Sequence, residues 1–498
     1  MNVEATHATW LGHPRGLATL FFTEMWERFS YYGMRALLLL YMTAALKAGG
    51  LGMSDVQGGA VYGLFTAAAY LANLPAGWIA DRVLGQRKSV FWGGVLISVG
   101  NFALALPTGL TTFYLGLLII CLGTGMLKTN CSTLVGALYQ GDSGSRRDAA
   151  FSIYYVGINL GALSPLIVGT IGETAGYRWG FLVGGIGMVL GLIQYRFSGK
   201  WLRQAGMAPH PAAPRERKRA QRLLTAALAA LALLVLLVMF GLLPISIVQL
   251  ANVTGAVMIA LAIAFFGNVL LFGKLTPAEK KSVVVIAIFF ICAAVFWAGY
   301  EQAGSTLNLF ARDHTDRSFL GSWFASGQHP VSWYQIAQAV FVLSLAPAFA
   351  WIWLALGKRG RDPSAGTKFG LGLLQLGMSF LVMMVAARTV LHTGQRVLPL
   401  WLIVTYLLQT TGEMCLSPIG LSNVTKLAPA RYSAQMMGTW FLGAAIGNLA
   451  AGLIGGEIGA DLADMPAQFL RMALVGGVSG CIMLALARPV RAWMGAAR

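Results

Sequence analysis

The amino-acid sequence predicts an all-α membrane protein, and three observations support this prediction. The chain has 498 residues, of which 57% are hydrophobic and only 11% are charged. A soluble protein of this length would carry about 25% charged residues. Apolar stretches of about 20 residues, long enough to cross a bilayer as helices, recur along the whole chain. The basic residues, which give a net charge of +18, concentrate in a few of the intervening loops.

Fourteen apolar spans are predicted, in groups of six, two and six. The first group lies at 18–46, 54–82, 88–108, 110–139, 149–172 and 178–197. A Pro/Arg-rich polar linker follows, with two extra spans at 222–243 and 248–273. Thr276-Pro277-Ala278-Glu279 has the pattern of a capping box with proline at the first helical position, so the last group begins there. Its spans lie at 279–312, 331–357, 367–390, 396–427, 433–456 and 467–487.

This grouping predicts three domains and a fold. They are a six-helix bundle in 1–198, the linker with two extra helices in 199–275, and a second six-helix bundle in 276–498. The loops after spans 2 and 4, the linker, and the matching loops of the last group are basic, so both termini are predicted to be cytoplasmic. Two six-helix bundles joined by a basic central loop are typical of the major facilitator fold, whose halves are parallel repeats.

A motif between spans 2 and 3 supports that fold. Glycine at its start would permit tight helix packing, and its charged residues would clamp neighbouring helix ends on the cytoplasmic side. The corresponding loop of the second half, 357–361, keeps only the basic charge. The pattern G-x3-D-R-x2-G-x-R-K is matched by Gly77, Asp81, Arg82, Gly85, Arg87 and Lys88.

The most informative feature is a polar stripe in span 1. Glu24, Glu27, Arg28, Tyr31 and Arg35 are spaced i, i+3, i+4, i+7 and i+11, so on a helix they share one face. Four charges facing lipid would cost about 10–14 kcal/mol, whereas about fifteen apolar neighbours return only about 5–9 kcal/mol. The stripe must therefore face a protein-lined, water-accessible interior. The two acids beside one arginine leave an excess carboxylate that could take up a proton.

Few other ionisable residues lie deep in the predicted spans. Lys128 is in span 4, Glu301 in span 7 and Glu413 in span 10. Ion pairs between the halves that form in one state and break in another would act as a gate, and fixed structural bridges are the alternative. Asn159, an amide in the middle of span 5, must find a partner. The aromatic residues predicted to line the same region are Tyr31, Tyr32, Tyr70, Trp297 and Trp440.

Composition and motifs argue against other classes of function. The basic residues form no aromatic-interleaved patch of the kind that binds nucleic acid. The sequence contains no metal-ligand spacing and no catalytic motif such as HExxH or GxSxG, so we predict no metal, no cofactor and no enzymatic activity. The five cysteines lie in apolar spans and are predicted to be buried thiols. Lone histidines such as His329 are predicted to be solvated in outer loops.

Five motifs, in order along nearly the whole chain, resemble those of the proton-dependent oligopeptide transporter family, called POT or PTR. The stripe of span 1 resembles the pattern ExxERFxYY. Residues 123–130 resemble GTGLLKPN in span 4, and residues 151–161 resemble FSxFYxxINxG in span 5. Spans 7 and 10 resemble the patterns FW…EQ and GE…SP through 296–302 and 412–418. The two extra helices are similar to those of bacterial members.

The resemblance implies a proton-coupling cluster and a peptide site. The proton-coupling residues would be Glu24, Glu27, Arg28 and Glu301. Cations would receive the carboxylate of the peptide and an acid its ammonium group, while tyrosines contact its backbone and tryptophans shape side-chain pockets. The implied substrate-binding residues are Arg35, Tyr31, Tyr32, Tyr70, Lys128, Asn159, Trp297, Gln338, Glu413 and Trp440.

The resemblance also implies two gating pairs, Arg35 with Glu301 and Lys128 with Glu413. The chain departs from the family at two places. Thr129 stands where members have a proline in span 4. In span 8, where members often have asparagine followed by proline, this chain carries Gln338, which could bond the amino end of a peptide with a longer reach.

The sequence therefore predicts a proton-coupled symporter that carries di- and tripeptides into the cell by alternating access. Such a site would accept many side chains and be strict in peptide length, because it pairs the fixed ends of a zwitterion. The predicted location is a bacterial inner membrane, crossed many times, with no obligate protein partner. One alternative is proton-coupled symport of nitrate or another small anion, which the complete ExxER cluster and Glu413 disfavour. Another is a transport-inactive membrane receptor.

Overall fold

The computed structural model describes residues 9–107, 109–139, 144–207, 214–239, 245–458 and 462–495. The described chain is almost entirely helical, which confirms the all-α prediction. An antiparallel ribbon of two short strands, β1 (Thr9–Trp10) and β2 (His13–Pro14), precedes the first helix.

The helices follow the predicted spans closely. Those of the first group are α1 (Arg15–Thr43), α2 (Asp55–Leu71), α3 (Asn73–Ile79), α4 (Gln86–Ala105), α5 (Leu110–Ala137), α6 (Gly144–Gly161), α7 (Val168–Thr174) and α8 (Tyr177–Ser198). The two extra helices are α9 (Pro214–Met239) and α10 (Ile247–Phe272). Those of the last group are α11 (Pro277–Tyr300), α12 (Thr306–His314), α13 (Ile336–Lys358), α14 (Ala365–Thr393), α15 (Leu400–Leu427), α16 (Ser433–Ile458), α17 (Met465–Ala485) and α18 (Ala487–Trp493). Short helical turns lie at Leu46–Ala48, Ala80–Leu84, Ser164–Leu166, Gly199–Leu202, Glu301–Gly304, Ser318–Trp323, Val331–Gln335 and Ala430–Tyr432.

Ten helical segments of the described residues are long and apolar enough to cross a membrane. The other long helical regions are α1, α2 with α3, α9 and α15. The predicted capping box at the start of α11 is present. The Thr276 hydroxyl accepts a hydrogen bond from the Glu279 N–H at 3.2 Å, and the Glu279 carboxylate accepts one from the Thr276 N–H at 2.8 Å.

The chain divides into two compact units. Unit 1 comprises Met1–Leu37 and Leu71–Ser246, and unit 2 comprises Leu38–Tyr70 and Ile247–Arg498. The last turns of α1 and nearly all of α2 therefore belong with the C-terminal helices. This division differs from the three consecutive segments 1–198, 199–275 and 276–498, because it follows the packing of the helices and not their order along the chain.

Close glycine contact explains why α2 belongs to unit 2. A Cβ atom on Gly63 of α2 would lie 2.7 Å from the carbonyl oxygen of Leu449 and 3.2 Å from Cα of Gly452, both on α16. Small residues allow this approach, and close van der Waals packing is what associates helices within a membrane. The two helices consequently touch through their backbones.

Three of the predicted spans contain a break between two helices. The span at 54–82 breaks between α2 and α3, and the span at 149–172 breaks between α6 and α7. Pro75 and Pro165 lie next to these breaks, where the missing N–H of proline removes a helical hydrogen bond. The span at 279–312 breaks between α11 and α12 without a proline. The predicted bounds of the apolar spans therefore do not reveal these three breaks.

The predicted exposure of His329 is also wrong, because the segment between α12 and α13 folds back on itself. The His329 side chain is only 7% exposed. Its Nδ1 lies 2.8 Å from the carbonyl oxygen of Arg317, and its Nε2 lies 3.1 Å from the hydroxyl of Tyr334. The Arg317 guanidinium in turn donates to the carbonyl oxygen of His329 at 2.6 Å. Burial lowers the pKa of His329, because desolvation disfavours the imidazolium form.

The predicted burial of the cysteines holds for Cys121, Cys131, Cys292 and Cys415. Cys481 is exposed on α17, so that prediction is wrong for one thiol. Its neighbours Val478 and Ile482 are also exposed, by 55% and 54%. The apolar span therefore presents this thiol on its outer face.

The packing of Gly63 predicts a loss of stability for Gly63→Val. Its side chain would collide with the backbone of α16, and overpacking of this kind costs about 1–3 kcal/mol. We expect a lower midpoint of thermal unfolding for the purified protein. Gly267→Val on α10 is the matched control, since nothing lies within 4 Å of a Cβ atom there. Equal midpoints for the two variants would contradict the prediction.

The buried imidazole of His329 predicts that the stability of the segment 315–330 depends on pH. When the segment unfolds locally, His329 regains the ordinary histidine pKa of about 6.5, which is higher than its pKa in the folded segment. As the pH falls below about 6.5, the unfolded segment binds the proton more readily than the folded one, so the folded segment loses stability. Backbone amides of 315–330 should therefore exchange faster at about pH 5 than at about pH 7, after correction for intrinsic rates. In His329→Gln, which cannot titrate, this dependence should disappear; its persistence would rule out the histidine as the cause.

Candidate functional site

The polar stripe of α1 is buried within unit 1. Glu24 and Glu27 have no exposed surface, and Arg28 is 3% exposed. A stripe that faced lipid would leave these side chains on the surface of the structure. Their burial confirms that the stripe turns away from lipid, as its insertion cost requires.

Arg28 interacts with both acids. Its Nε lies 3.5 Å from Oε1 of Glu24 and forms a closer ion pair with Oε2 of Glu27. Its Cζ also lies 4.9 Å from the ring centroid of Tyr31 and 5.7 Å from that of Tyr32. Cation–π contacts of this kind stabilise a desolvated guanidinium. One cation is thus shared between two carboxylates and two rings.

The Glu24 carboxylate is only partly compensated by its surroundings. Neither of its oxygens makes a hydrogen bond of ordinary geometry to the described residues. Its neighbours from other helices are Tyr154 of α6, Cys131 of α5 and Lys128 of α5. Sequence reasoning assigned no role to Tyr154 or Cys131, since no spacing rule predicts a contact between helices. A buried acid in this environment can respond to the addition of a proton.

Helix α5 runs unbroken through Lys128 and Thr129. The Lys128 side chain is half-buried. The Thr129 hydroxyl donates to Oδ1 of Asn73 at 3.0 Å, which joins α5 to the first residue of α3. The residue that replaces the family's proline therefore makes a hydrogen bond between helices.

The two remaining polar residues predicted for unit 1 are nearly buried. Asn159 is 6% exposed, and its side-chain amide donates to the carbonyl oxygen of Tyr155 at 2.9 Å. The amide thus finds a partner one turn earlier on its own helix. Arg35 is 8% exposed, and its Cζ lies 6.0 Å from the ring centroid of Tyr32.

In unit 2, Glu413 of α15 accepts a hydrogen bond from the hydroxyl of Tyr300 at 2.6 Å. The Tyr300 ring stacks on Phe296 with 5.6 Å between centroids and meets Trp297 edge-on at 5.3 Å. Glu301, the next residue, is 3% exposed and within electrostatic range of Glu413. Sequence reasoning missed the role of Tyr300, although its position directly before the acid was visible.

Two tryptophans predicted to shape pockets lie in the same unit. Trp440 is 8% exposed, and its ring packs against Gly420 of α15, where a Cβ atom would collide with the ring. The Trp297 indole nitrogen is buried and has no hydrogen-bond partner among the described residues. An unpaired buried donor is costly, so this group requires a partner such as a water molecule or a ligand.

The other two predicted residues of unit 2 are Gln338 and Tyr70. The Gln338 amide lies 3.5 Å from Oε1 of Gln409, a fully buried side chain of α15. No sequence signal marked Gln409, because the contact joins two helices. Tyr70 is half-buried near the end of α2, directly before the helix breaks.

The motif at 77–88 connects α3 to α4 through the turn Ala80–Leu84. Arg87 attaches the start of α4 to the segment after α8. Its Nε donates to the carbonyl oxygen of Ala205 at 2.6 Å, and a terminal nitrogen donates to that of Arg203. The remaining members of the motif are Gly77, Asp81, Arg82, Gly85 and Lys88.

The predicted site residues thus form two groups. Glu24, Glu27, Arg28 and two tyrosines meet in unit 1, whereas Glu301, the fourth residue predicted for proton coupling, lies in unit 2 with Glu413 and the aromatic residues. The gating pairs Arg35 with Glu301 and Lys128 with Glu413 join residues of different units, and both stay predictions.

Helix interruptions accompany these groups. Tyr70 precedes the break after α2, Asn159 precedes the break after α6, and Glu301 begins the break after α11. Irregular backbone within a membrane is tolerated only where protein or a water-filled cavity receives the freed polar groups. Secondary transporters build their substrate sites from such discontinuous helices. Buried ionisable residues beside interrupted membrane helices are therefore typical of a membrane transporter.

The chain belongs to the POT family, whose sequence model, PTR2, matches residues 87–458. It is 41% identical to the peptide transporter YePEPT of Yersinia enterocolitica subsp. palearctica serotype O:3 (strain YE-P4), over 98% of this chain and 96% of the relative. It is 37% identical to a di-/tripeptide transporter of Lactococcus lactis subsp. cremoris over the full length of both chains. A crystal structure of a peptide transporter POT in complex with sulfate superposes with a TM-score of 0.89 at 38% identity, covering 98% of this chain and 97% of that one.

The bond between Tyr300 and Glu413 predicts energetic coupling between the two side chains. Tyr300→Phe removes the donor and leaves a buried carboxylate, and losing a hydrogen bond to a charged group costs about 1.5–3 kcal/mol. We expect a lower thermal unfolding midpoint for Tyr300→Phe at neutral pH, but little further change when it is added to Glu413→Gln. The control is Tyr114→Phe, a tyrosine of α5 that is 36% exposed. Additive effects in the double variant would show that the bond contributes nothing.

Proposed function

We propose that this protein is a proton-coupled symporter that carries di- and tripeptides into the cell by alternating access. The observation that carries the proposal is the buried cluster of Glu24, Glu27 and Arg28. Two carboxylates face one guanidinium there, and Glu24 makes no hydrogen bond of ordinary geometry to the described residues. Binding one proton removes the excess negative charge from a region where charge is costly. Glu301 of unit 2 is a second proton-coupling residue in this proposal.

The charged residues predicted for substrate binding fit a zwitterionic substrate. Unit 1 contributes Arg35 and Lys128, which can pair with a carboxylate, and unit 2 contributes Glu413, which can pair with an ammonium group. Tyrosine hydroxyls and the unpaired indole donor of Trp297 supply contacts for the amide groups between the two ends. The relatives named as peptide and di-/tripeptide transporters support this substrate class. In this proposal, Arg35 with Glu301 and Lys128 with Glu413 act as the gating pairs.

The proposed arrangement has fourteen transmembrane helices of a major facilitator fold. Ten of the fourteen are the segments that are long and apolar enough to span a membrane by composition alone. The other four are α1, α2 with α3, α9 and α15. The basic loops support a cytoplasmic location for both termini, in a chain that lies in a bacterial inner membrane. The driving force is the membrane potential, at about 2.3 kcal/mol per charge per 100 mV, together with the pH gradient, at about 1.4 kcal/mol per unit. No cofactor and no obligate protein partner are needed.

Purified protein in liposomes provides the test. An acidic exterior with a negative interior should drive accumulation of labelled dialanine, and liposomes without a gradient should accumulate little. Di- and tripeptides should compete, whereas single amino acids, tetrapeptides and nitrate should not. The proposal fails if no di- or tripeptide accumulates or competes, and competition by nitrate alone would favour anion symport.

Neutralising substitutions separate proton coupling from peptide binding. Glu24→Gln and Glu27→Gln should each reduce gradient-driven uptake by about tenfold or more, a change of about 1.4 kcal/mol, yet retain exchange of peptide for peptide. Lys128→Ala and Glu413→Gln should reduce both uptake and exchange, because they remove a partner of one peptide end. Glu457→Gln is the control, an exposed acid at the end of α16. Loss of exchange in the span 1 variants would contradict their assignment to the proton.

A further inference from the structure

A basic groove lies in unit 1 where the start of α4 meets the end of α8. It encloses about 730 Å³ and is separate from the charge cluster of α1. Four of its lining residues are cations and none is an acid. The cations are Arg87, Lys88, Arg196 and Lys200.

Three of these cations are available to a ligand. Arg87 is engaged with backbone carbonyl groups after α8. Lys88, Arg196 and Lys200 are exposed, and none of them forms an ion pair with any residue in the described ranges. Lys200 lies 5.3 Å from the ring centroid of Trp201, an aromatic residue of the type found at membrane interfaces. Three cations without an ion-pair partner, placed around one concave surface, attract an anion. Cations that are simply solvated would not need to share a groove.

Apolar stripes lead away from the groove on both helices. On α8, Ile186, Leu190, Ile193 and Phe197 are 46%, 45%, 48% and 76% exposed, and their spacing of i, i+4, i+7 and i+11 places them on one helix face. Phe197 also lines the groove. Within a membrane, an exposed apolar stripe contacts acyl chains. The stripe therefore joins the groove to the hydrocarbon region.

Helix α4 repeats this arrangement. Trp92 is 52% exposed and Val99 is 48% exposed. They follow Lys88 at i+4 and i+11, so the cation and the two apolar side chains share one face. Each helix thus carries cations at the groove and apolar side chains in the direction of the bilayer interior.

We propose that this groove binds an anionic phospholipid, with its phosphate held by Lys88, Arg196 and Lys200 and its acyl chains along the two stripes. A guanidinium forms paired hydrogen bonds to phosphate oxygens, and the ammonium groups add point charges. Basic pockets between membrane helices on the cytoplasmic side recognise anionic lipid headgroups in this way. A free phosphate ion shares the headgroup chemistry, but it would make no use of the stripes.

Native mass spectrometry of the detergent-purified chain tests the proposal. The protein is titrated with phosphatidylglycerol and with phosphatidylcholine of the same acyl chains. We expect preferential retention of phosphatidylglycerol, and about tenfold weaker retention in the double variant Arg196→Gln/Lys200→Gln. The charge-preserving variant Arg196→Lys/Lys200→Arg should bind as the wild-type chain does. Lys280→Gln/Lys281→Gln is the control, which removes two exposed cations at the start of α11.

Three results would overturn the proposal. They are equal retention of the two lipids, equal loss of phosphatidylglycerol in the control variant, and displacement of phosphatidylglycerol by millimolar inorganic phosphate. The last result would assign the groove to a soluble anion. The variants should keep the thermal unfolding midpoint of the wild-type chain. A loss of bound lipid can then be attributed to the changed groove and not to a damaged fold.

Discussion

Two carboxylates and one guanidinium buried on α1 impose the constraint on which the rest of the structure depends. Charged groups removed from water require partners within the protein, because the hydrocarbon offers none. Arg28 is therefore enclosed by Glu24, Glu27 and the rings of Tyr31 and Tyr32. The two carboxylates outnumber the one guanidinium, and Lys128 of α5 is a further cation within electrostatic range of Glu24. Carboxylates buried in this way change their protonation when their surroundings change. This property makes the cluster suitable for coupling proton movement to transport.

The polar chemistry is divided between the two compact units. Unit 1 holds the cations Arg35 and Lys128, whereas unit 2 holds the acids Glu301 and Glu413. The fixed ends of a peptide carry the complementary charges, while its side chains vary. Interrupted helices beside Tyr70, Asn159 and Glu301 release backbone groups that an unbroken helix would satisfy internally. Buried charges can recognise the two ends of a peptide, and the freed backbone groups of the interrupted helices can contact the variable part between them.

Much of this arrangement could be predicted from the sequence. Helical periodicity placed five residues of α1 on one face, and insertion energy turned that face inward. The capping box at Thr276 gave the start of α11. Contacts between helices could not be predicted, which is why Tyr154 and Gln409 were missed, and continuous hydropathy concealed the broken helices. Pro75 and Pro165 were usable signals for two breaks, whereas Glu301–Gly304 has no residue that forbids a helix.

The distribution of thiols has a practical consequence for spectroscopy. Cys121, Cys131, Cys292 and Cys415 are shielded by packed helices, and Cys481 alone faces outward. A Cys481→Ala chain would keep its four internal thiols yet offer none to a labelling reagent in this conformation. A single cysteine added to each compact unit would then accept one probe each. Distances between the probes could be followed during turnover without removing every native sulfur from the interior.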